Sequence, residues 1–210
     1  MSRYRFNSLL NDYCTSLIQE LDLIPAERAT PLKEIGNFIV QKLEQGHPAQ
    51  LLFICTHNSR RSQFGQIWAK SAARYYGIDT IDTYSGGTEA TAFNPRAVHS
   101  LERAGFKVSV NPQDRDNPVY RLQSGEFLSD AMYSKKFSDP YNPSGDFCAV
   151  MVCSQADEAC PFVPGASARI SLPYDDPKEF DGTSRENAAY DERCRQIASE
   201  MFYIMKYVPS

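Results

Sequence analysis

Cys55 closes a short apolar run, Leu51-Leu52-Phe53-Ile54, and opens the polar segment Cys55-Thr56-His57-Asn58-Ser59-Arg60-Arg61-Ser62. A cysteine six positions before Arg61, followed at once by Ser62, suits one kind of chemistry: thiolate attack on a tetrahedral oxyanion. An apolar run that breaks into a polar loop and then into helical periodicity reads as buried strand, loop and helix. The backbone N–H groups of 56–62 can then curl into an anion-sized nest, and the helix starting near Arg61 aims its positive dipole end at the same point. Both effects favour negative charge on the cysteine sulfur. Arg61 can fold back and offer two parallel N–H donors to an oxyanion. Ser62 is placed to hydrogen-bond the sulfur, and Asn58 to hold the loop through bonds from side chain to backbone. The plainer alternative is a small apolar filler at a strand end. That alternative leaves the ordered sequence of strand, loop and helix without a purpose.

Two further cysteines sit in Val150-Met151-Val152-Cys153-Ser154-Gln155-Ala156-Asp157-Glu158-Ala159-Cys160-Pro161. Cys153 ends a second apolar run, and six residues separate it from Cys160, enough for a loop or short helix that can rearrange. A disulfide needs Cα atoms roughly 4.4–6.8 Å apart, so sulfur exchange here calls for movement. Half a zinc site is the competing explanation. Zinc pairs usually lie two to four residues apart, and His47, His57 and His99 are too dispersed to complete one, so no metal is expected. Asp175-Asp176-Pro177 supplies a carboxylate that could hand a proton to a leaving oxygen, although the same triplet is a common turn former. Asp139-Pro140-Tyr141 is a second candidate. Cys14, Cys148 and Cys194 have apolar neighbours and read as packing residues.

The elements that must position these groups follow from periodicity. Residues 51–54, 79–84, 147–152 and 168–172 read as strands. Helices are expected over 62–76, over 95–104 with Gly105 at its C-terminal cap, and over 187–207. Strand and helix alternate, which implies an α/β fold: a parallel four-stranded sheet with helices on both faces. Such sheets gather their chemistry beyond the C-terminal ends of the strands, where Cys55 and Cys153 both stand. Residues 1–47 read as an N-terminal helical hairpin, with Phe6, Leu9, Leu10, Tyr13, Leu17 and Leu21 on one face. A second helix is capped by Thr30 with Pro31 at its first position and carries Leu32, Ile35, Phe38, Ile39 and Leu43. The catalytic domain is then 48–210. It is interrupted by a polar insertion at about 111–145 that has some helix near 125–132.

Composition narrows the partners. The chain has 210 residues, a net charge of −4 and no basic run, which argues against nucleic acid and anionic membranes. No apolar stretch approaches the ~20 residues of a membrane helix. The N-terminal MSRYRFNSLLNDYC lacks the continuous apolar core of a secretory signal. Six scattered cysteines fit a reducing cytoplasm better than a disulfide scaffold.

The Cys-x5-Arg-Ser loop resembles that of the low-molecular-weight protein tyrosine phosphatases, and the likeness covers about 50–207 with the 111–145 insertion and the N-terminal hairpin outside it. With Cys153, Cys160 and Asp176 it resembles most closely their thioredoxin-coupled arsenate reductase branch. The resemblance implies arsenate reduction through a Cys55, Cys153, Cys160 thiol-disulfide relay, with Arg61 and the amides of residues 56–62 binding the oxyanion. It also implies Asp176 as general acid, no bound cofactor, and thioredoxin or a similar thiol reductant as electron donor. The alternative it carries is a phosphatase working through a Cys55 phosphocysteine, which needs neither Cys153 nor Cys160. A more distant one is an oxyanion-sensing or partner-binding protein. Three positions depart from the family pattern. His57 replaces a glycine, implying an unusual φ there or a different loop shape. Arg60 replaces a cysteine and points either at the anion or at solvent. Gln66 replaces a glutamate that helps bind potassium in some reductases, so no such ion is expected.

Overall fold

A computed structural model of the chain describes residues 6–111 and 115–209. The first five residues of the N-terminal segment and residues 112–114 of the expected insertion lie outside that range. Helix α1 (Ser8–Gln19) starts at Asn7, whose side chain accepts from the Leu10 amide, and buries Leu10, Cys14 and Leu17 at helical spacing. Leu9, expected on the same face, is 59% exposed. A 3₁₀ turn at Leu21–Leu23 leads to α2 (Ala26–Glu44). The expected cap at Thr30 is corrected here: α2 begins five residues earlier, and Pro31 lies inside it. A proline there removes one intrahelical hydrogen bond. The added first turn carries Arg28, whose contacts are described below.

Strand β1 (Ala49–Cys55) is followed by α3 (Arg61–Tyr76), β2 (Ile81–Gly87) and α4 (Pro95–Ala104), which Gly105 ends at φ 117°. Next come β3 (Lys107–Asn111), β4 (Val119–Ser124) and β5 (Phe127–Leu128). They form a small antiparallel sheet of their own, in the order β3-β4-β5. The helix expected near 125–132 is therefore a hairpin. Gly125, at φ 60°, takes the left-handed conformation that the tight β4–β5 turn requires, and Leu122 and Phe127 turn inward on either side of it. The chain ends with β6 (Phe147–Met151), α5 (Ser154–Ala159), β7 (Ala166–Ser171) and α6 (Glu186–Lys206).

The main sheet has four strands, all parallel, in the order β2-β1-β6-β7 and flanked by helices, as the alternation of elements predicts. β1 and β6 are central and almost wholly buried, which is why both read as unbroken apolar runs. Helix α6 packs on α3 and α4, α1 lies chiefly against α6, and α2 lies against α6 and the strands β1 and β7. Trp68 of α3 joins three of these elements. Its ring stacks on Tyr13 at 5.4 Å and meets Phe106 edge-on at 5.4 Å, while its Nε1 donates to Cys194 Sγ.

The N-terminal helices also reach the catalytic edge of the sheet. Arg28 of α2 forms a two-pronged pair with Glu200 of α6, at 2.9 and 2.7 Å, and donates to the carbonyl of Pro173. Its guanidinium lies over the ring of Tyr174, whose hydroxyl donates to the same carboxylate at 2.6 Å. Burial, with Glu200 beside it, drives the Tyr174 phenol well above its usual range, so it serves here as a donor. Glu200 is 2% exposed. Arg28→Ala leaves a buried carboxylate without its cation, so it should cost about 3–5 kcal/mol in urea unfolding. The double variant Arg28→Met/Glu200→Met should recover only part of that loss, because the buried Tyr174 hydroxyl then lacks its acceptor.

Candidate active site

The C-terminal ends of β1, β6 and β7 release three segments side by side. Val152 N–H donates to Ile54 O, Leu172 N–H to Met151 O and Tyr174 N–H to Val152 O, so strand-like pairing runs one residue past β6 and three past β7. This edge gathers the loop after β1, Cys153 with α5, and residues 172–177, as expected for an open parallel sheet.

Cys55 is 3% exposed, with Sγ 3.1 Å from Ser62 Oγ. Asn58 Nδ2 donates to that same Ser62 oxygen at 2.8 Å, which leaves the serine hydrogen for the sulfur. That hydroxyl, at the first turn of a 16-residue helix, is held to donate to Cys55 Sγ. The unusual φ expected at His57 falls on Asn58 instead, at 47°. Asparagine tolerates that conformation better than most residues. Gly87, register partner of Cys55, lets the loop approach: a Cβ there would stand 2.6 Å from Thr56 O and 2.8 Å from Asn58 N.

Arg61 is nearly buried and splits its guanidinium between two partners. One nitrogen donates to Tyr174 O at 2.8 Å and the other to Asp176 Oδ2 at 2.8 Å. Arginine has five N–H donors, so three remain for an oxyanion. Arg60 takes neither course expected of it. Its Nε donates to Tyr190 Oη at 2.8 Å, and that phenol donates to Asp181 Oδ1 at 2.8 Å. Asp176 lies 3.9 Å from the same Nε. Arg60 therefore ties the start of α3 to the segment that follows Asp176.

Cys153 is 1% exposed and sits 3.5 Å from Thr56 Oγ1, beside the loop. It caps α5, accepting from the Ala156 amide, and Cys160 stands at the other end of that helix, partly exposed. A cleft of about 660 Å³ is lined by His57, Arg61, Cys153, Tyr174, Asp176 and Lys178. Asp139 borders a different cavity, beside Phe137 and Pro140. Burial pushes the thiols of Cys14, Cys148 and Cys194 up to about 12, which keeps them uncharged near neutral pH. Among the described residues no group of three or more histidines, cysteines or carboxylates could hold a metal, and no helix is long and apolar enough to cross a membrane.

The sequence profile of the low molecular weight phosphotyrosine protein phosphatases matches residues 50–123. The arsenate reductase of Halalkalibacterium halodurans is 30% identical over 145 residues, spanning 69% of this chain and 86% of that protein. The arsenate reductase of Bacillus subtilis matches to the same extent, with 30% identity over 145 residues, 69% of this chain and 86% of its own. This chain belongs to the arsenate reductase branch of the low-molecular-weight phosphotyrosine phosphatase superfamily. The fold agrees with solved structures. A low molecular weight protein tyrosine phosphatase from T. tengcongensis superposes with a TM-score of 0.53 at 13% identity, covering 76% of this chain and 99% of that one. A mutant of YwlE from Bacillus subtilis gives 0.51 at 16% identity, covering 75% and 97%.

In this branch member, the segment 133–135 also supports the site, and nothing in its residue types announced that. Lys135 N–H donates to Asn58 Oδ1 at 2.9 Å, and Ser134 Oγ donates to His57 O at 2.8 Å. Gln63 Nε2 bridges Asn58 O and Tyr133 O. Only the order of the chain could have hinted at it, since Gly86-Gly87 opens room where the segment crosses: a Cβ on Gly86 would stand 2.4 Å from Phe137 Cα. The Lys135 side chain is 2% exposed; among the described residues its ammonium has no hydrogen-bond partner, and it lies over the rings of Tyr133 and Tyr141 at 4.8 and 5.5 Å. Burial lowers its pKa to about 8. Below that pH the lysine is charged in both folded and unfolded chains, and the full burial penalty applies. The penalty lifts as pH rises from about 8 toward the ~10.4 of a free lysine. Lys135→Met should therefore stabilise the protein at pH 7 by up to about 3 kcal/mol. In urea unfolding that advantage should shrink steadily between about pH 8 and 10.5.

Proposed function

We propose that this protein reduces arsenate to arsenite through a relay of Cys55, Cys153 and Cys160, with a thiol reductant, thioredoxin or a protein like it, restoring the dithiol. The observation that carries the proposal is the contact of Cys153 with the loop of Cys55, on adjacent strand ends, with Cys160 at the far end of the helix that Cys153 caps. Adjacent strands run about 4.8 Å apart, within the span a disulfide can bridge.

In the first step the Cys55 thiolate attacks arsenate held by Arg61 and the amides of 56–62. Asp176 protonates the departing oxygen, leaving arsenic bonded to sulfur. Cys153 then attacks Cys55 Sγ. A sulfur–sulfur bond forms, the sulfur–arsenic bond breaks, and its electron pair stays with arsenic, which leaves as arsenite. Cys160 next attacks Cys153 Sγ, and Cys55 departs as thiolate. The external dithiol finally reduces the Cys153–Cys160 disulfide. Relatives named arsenate reductase support this reading. Phosphate copies the charge and shape of arsenate, so phosphoester cleavage through a Cys55 phosphocysteine is the competing reaction of the same loop.

One assay panel separates them: thioredoxin-coupled NADPH oxidation with arsenate, and aryl phosphate hydrolysis. Both run on wild type, Cys55→Ser and Cys153→Ser. The relay requires arsenate turnover in wild type and at least a 100-fold loss in each variant. Undiminished arsenate turnover in Cys153→Ser would sink it, and rapid aryl phosphate hydrolysis that ignores Cys153→Ser would establish the phosphatase. Binding of arsenate or phosphate without turnover in either assay would mark an oxyanion sensor.

A further inference from the structure

Helix α5 is six residues long, too short to hold itself, and Ala156 is its only buried side chain. One side chain from the neighbouring strand ties it down. Arg169 of β7 donates through Nη2 to Asp157 O at 2.7 Å and to Asp157 Oδ1 at 2.5 Å, and through Nε to Cys160 O at 3.0 Å. Ser171, two residues along the same strand, donates to Asp157 Oδ2 at 2.6 Å. The Arg169 and Asp157 side chains are about one-quarter exposed, so water weakens these charge-assisted bonds only in part.

Cys153 and Cys160 cap opposite ends of this helix. Seven residues at 1.5 Å rise place their backbones about 10 Å apart, beyond the ~6.8 Å limit of a disulfide. Joining the two sulfurs therefore requires α5 to come undone and the backbone at Cys160 to travel several ångströms. That travel breaks the bond from Arg169 Nε, because its acceptor is the carbonyl of Cys160 itself.

We infer that Arg169, assisted by Ser171, is a latch on α5 that holds Cys160 away from Cys153 and sets the rate of the second sulfur exchange. The inference rests on the relay proposed above. Arg169 touches no reacting atom and acts as a positioning residue through Asp157 and the Cys160 backbone. While the latch is closed, Cys153 keeps its place as helix cap beside the loop of Cys55. When it opens, Cys160 is free to attack.

The test uses the full chain carrying Cys55→Ser, so that only Cys153 and Cys160 remain on the path. Oxidised glutathione serves as the two-electron acceptor. One cysteine displaces one glutathione and the other displaces the second, so two thiols become one disulfide and two molecules of glutathione are released. The Cys153–Cys160 cross-linked peptide is counted by mass spectrometry over time. Arg169→Gln should form it about tenfold faster than the Cys55→Ser parent, with Arg169→Lys in between. Hydrogen exchange at the amides of 157–160 should rise in step. A general loosening of the fold would also raise exchange in the central strands, so the amides of β1 and β6 should exchange as slowly as in the parent. Ser171→Ala, which removes one exposed hydroxyl, should give a smaller acceleration and covers the case of an unfolded arginine variant. Equal or slower cross-linking in Arg169→Gln and Ser171→Ala would overturn the latch and leave the relay standing. Failure of the parent and every variant to form the disulfide would overturn the relay, and the latch with it.

Discussion

A loop that turns its N–H groups toward an anion cannot also use them to satisfy its own carbonyls. Other segments must supply those donors. Each carbonyl from Cys55 to Ser59 is bonded from elsewhere: Cys55 O by Thr88 N–H, Thr56 O by Glu89 N–H, His57 O by Ser134 Oγ, Asn58 O by Gln63, and Ser59 O by Asn94 N–H. The site is thus built from four stretches of chain around one loop. The rest of the catalytic edge follows from the need to bring them there: β2 ending in paired glycines, α4 starting beside Ser59, and segment 133–135 crossing behind Asn58.

The same constraint sorts the cysteines. Cys55 and Cys153 lie at strand ends, where backbone and hydroxyl donors face the sulfur, and Cys160 lies on a short helix at the surface. Cys14, Cys148 and Cys194 lie deep in the core, and burial is the largest influence on each, outweighing even the Trp68 N–H that reaches Cys194. Identical side chains thus divide into reactive candidates and filler by the polarity of what surrounds them.

The segment that carries Asp176 is supported from both sides. Arg60 and Arg61 hold it from the loop, and Tyr174 anchors it through Glu200 to Arg28 of α2. The N-terminal helices carry no reactive group of their own. They pack on α6 as part of one continuous core, and through Arg28 they fix the approach of Asp176.

The sequence by itself determined the alternation of elements in the main domain, the parallel sheet, and the placement of Cys55 and Cys153 at strand ends, because buried strands and amphipathic helices write their periods directly into residue types. The position of the Cys55–Ser62 loop between β1 and α3 was legible for the same reason, whereas the partners of its side chains were not. Tertiary structure decided the rest. Arg60 turned to Tyr190 and Asp181, Lys135 came to lie behind Asn58, Arg28 reached Tyr174, and Arg169 closed over α5. Each of these bonds joins residues far apart in the chain or contributed by the backbone, where residue type carries little information. Residues 125–132 misled for a related reason. Two short strands around a glycine turn hold too few residues to establish a period, and packing of Leu122 and Phe127 against the core settled what local pattern could not.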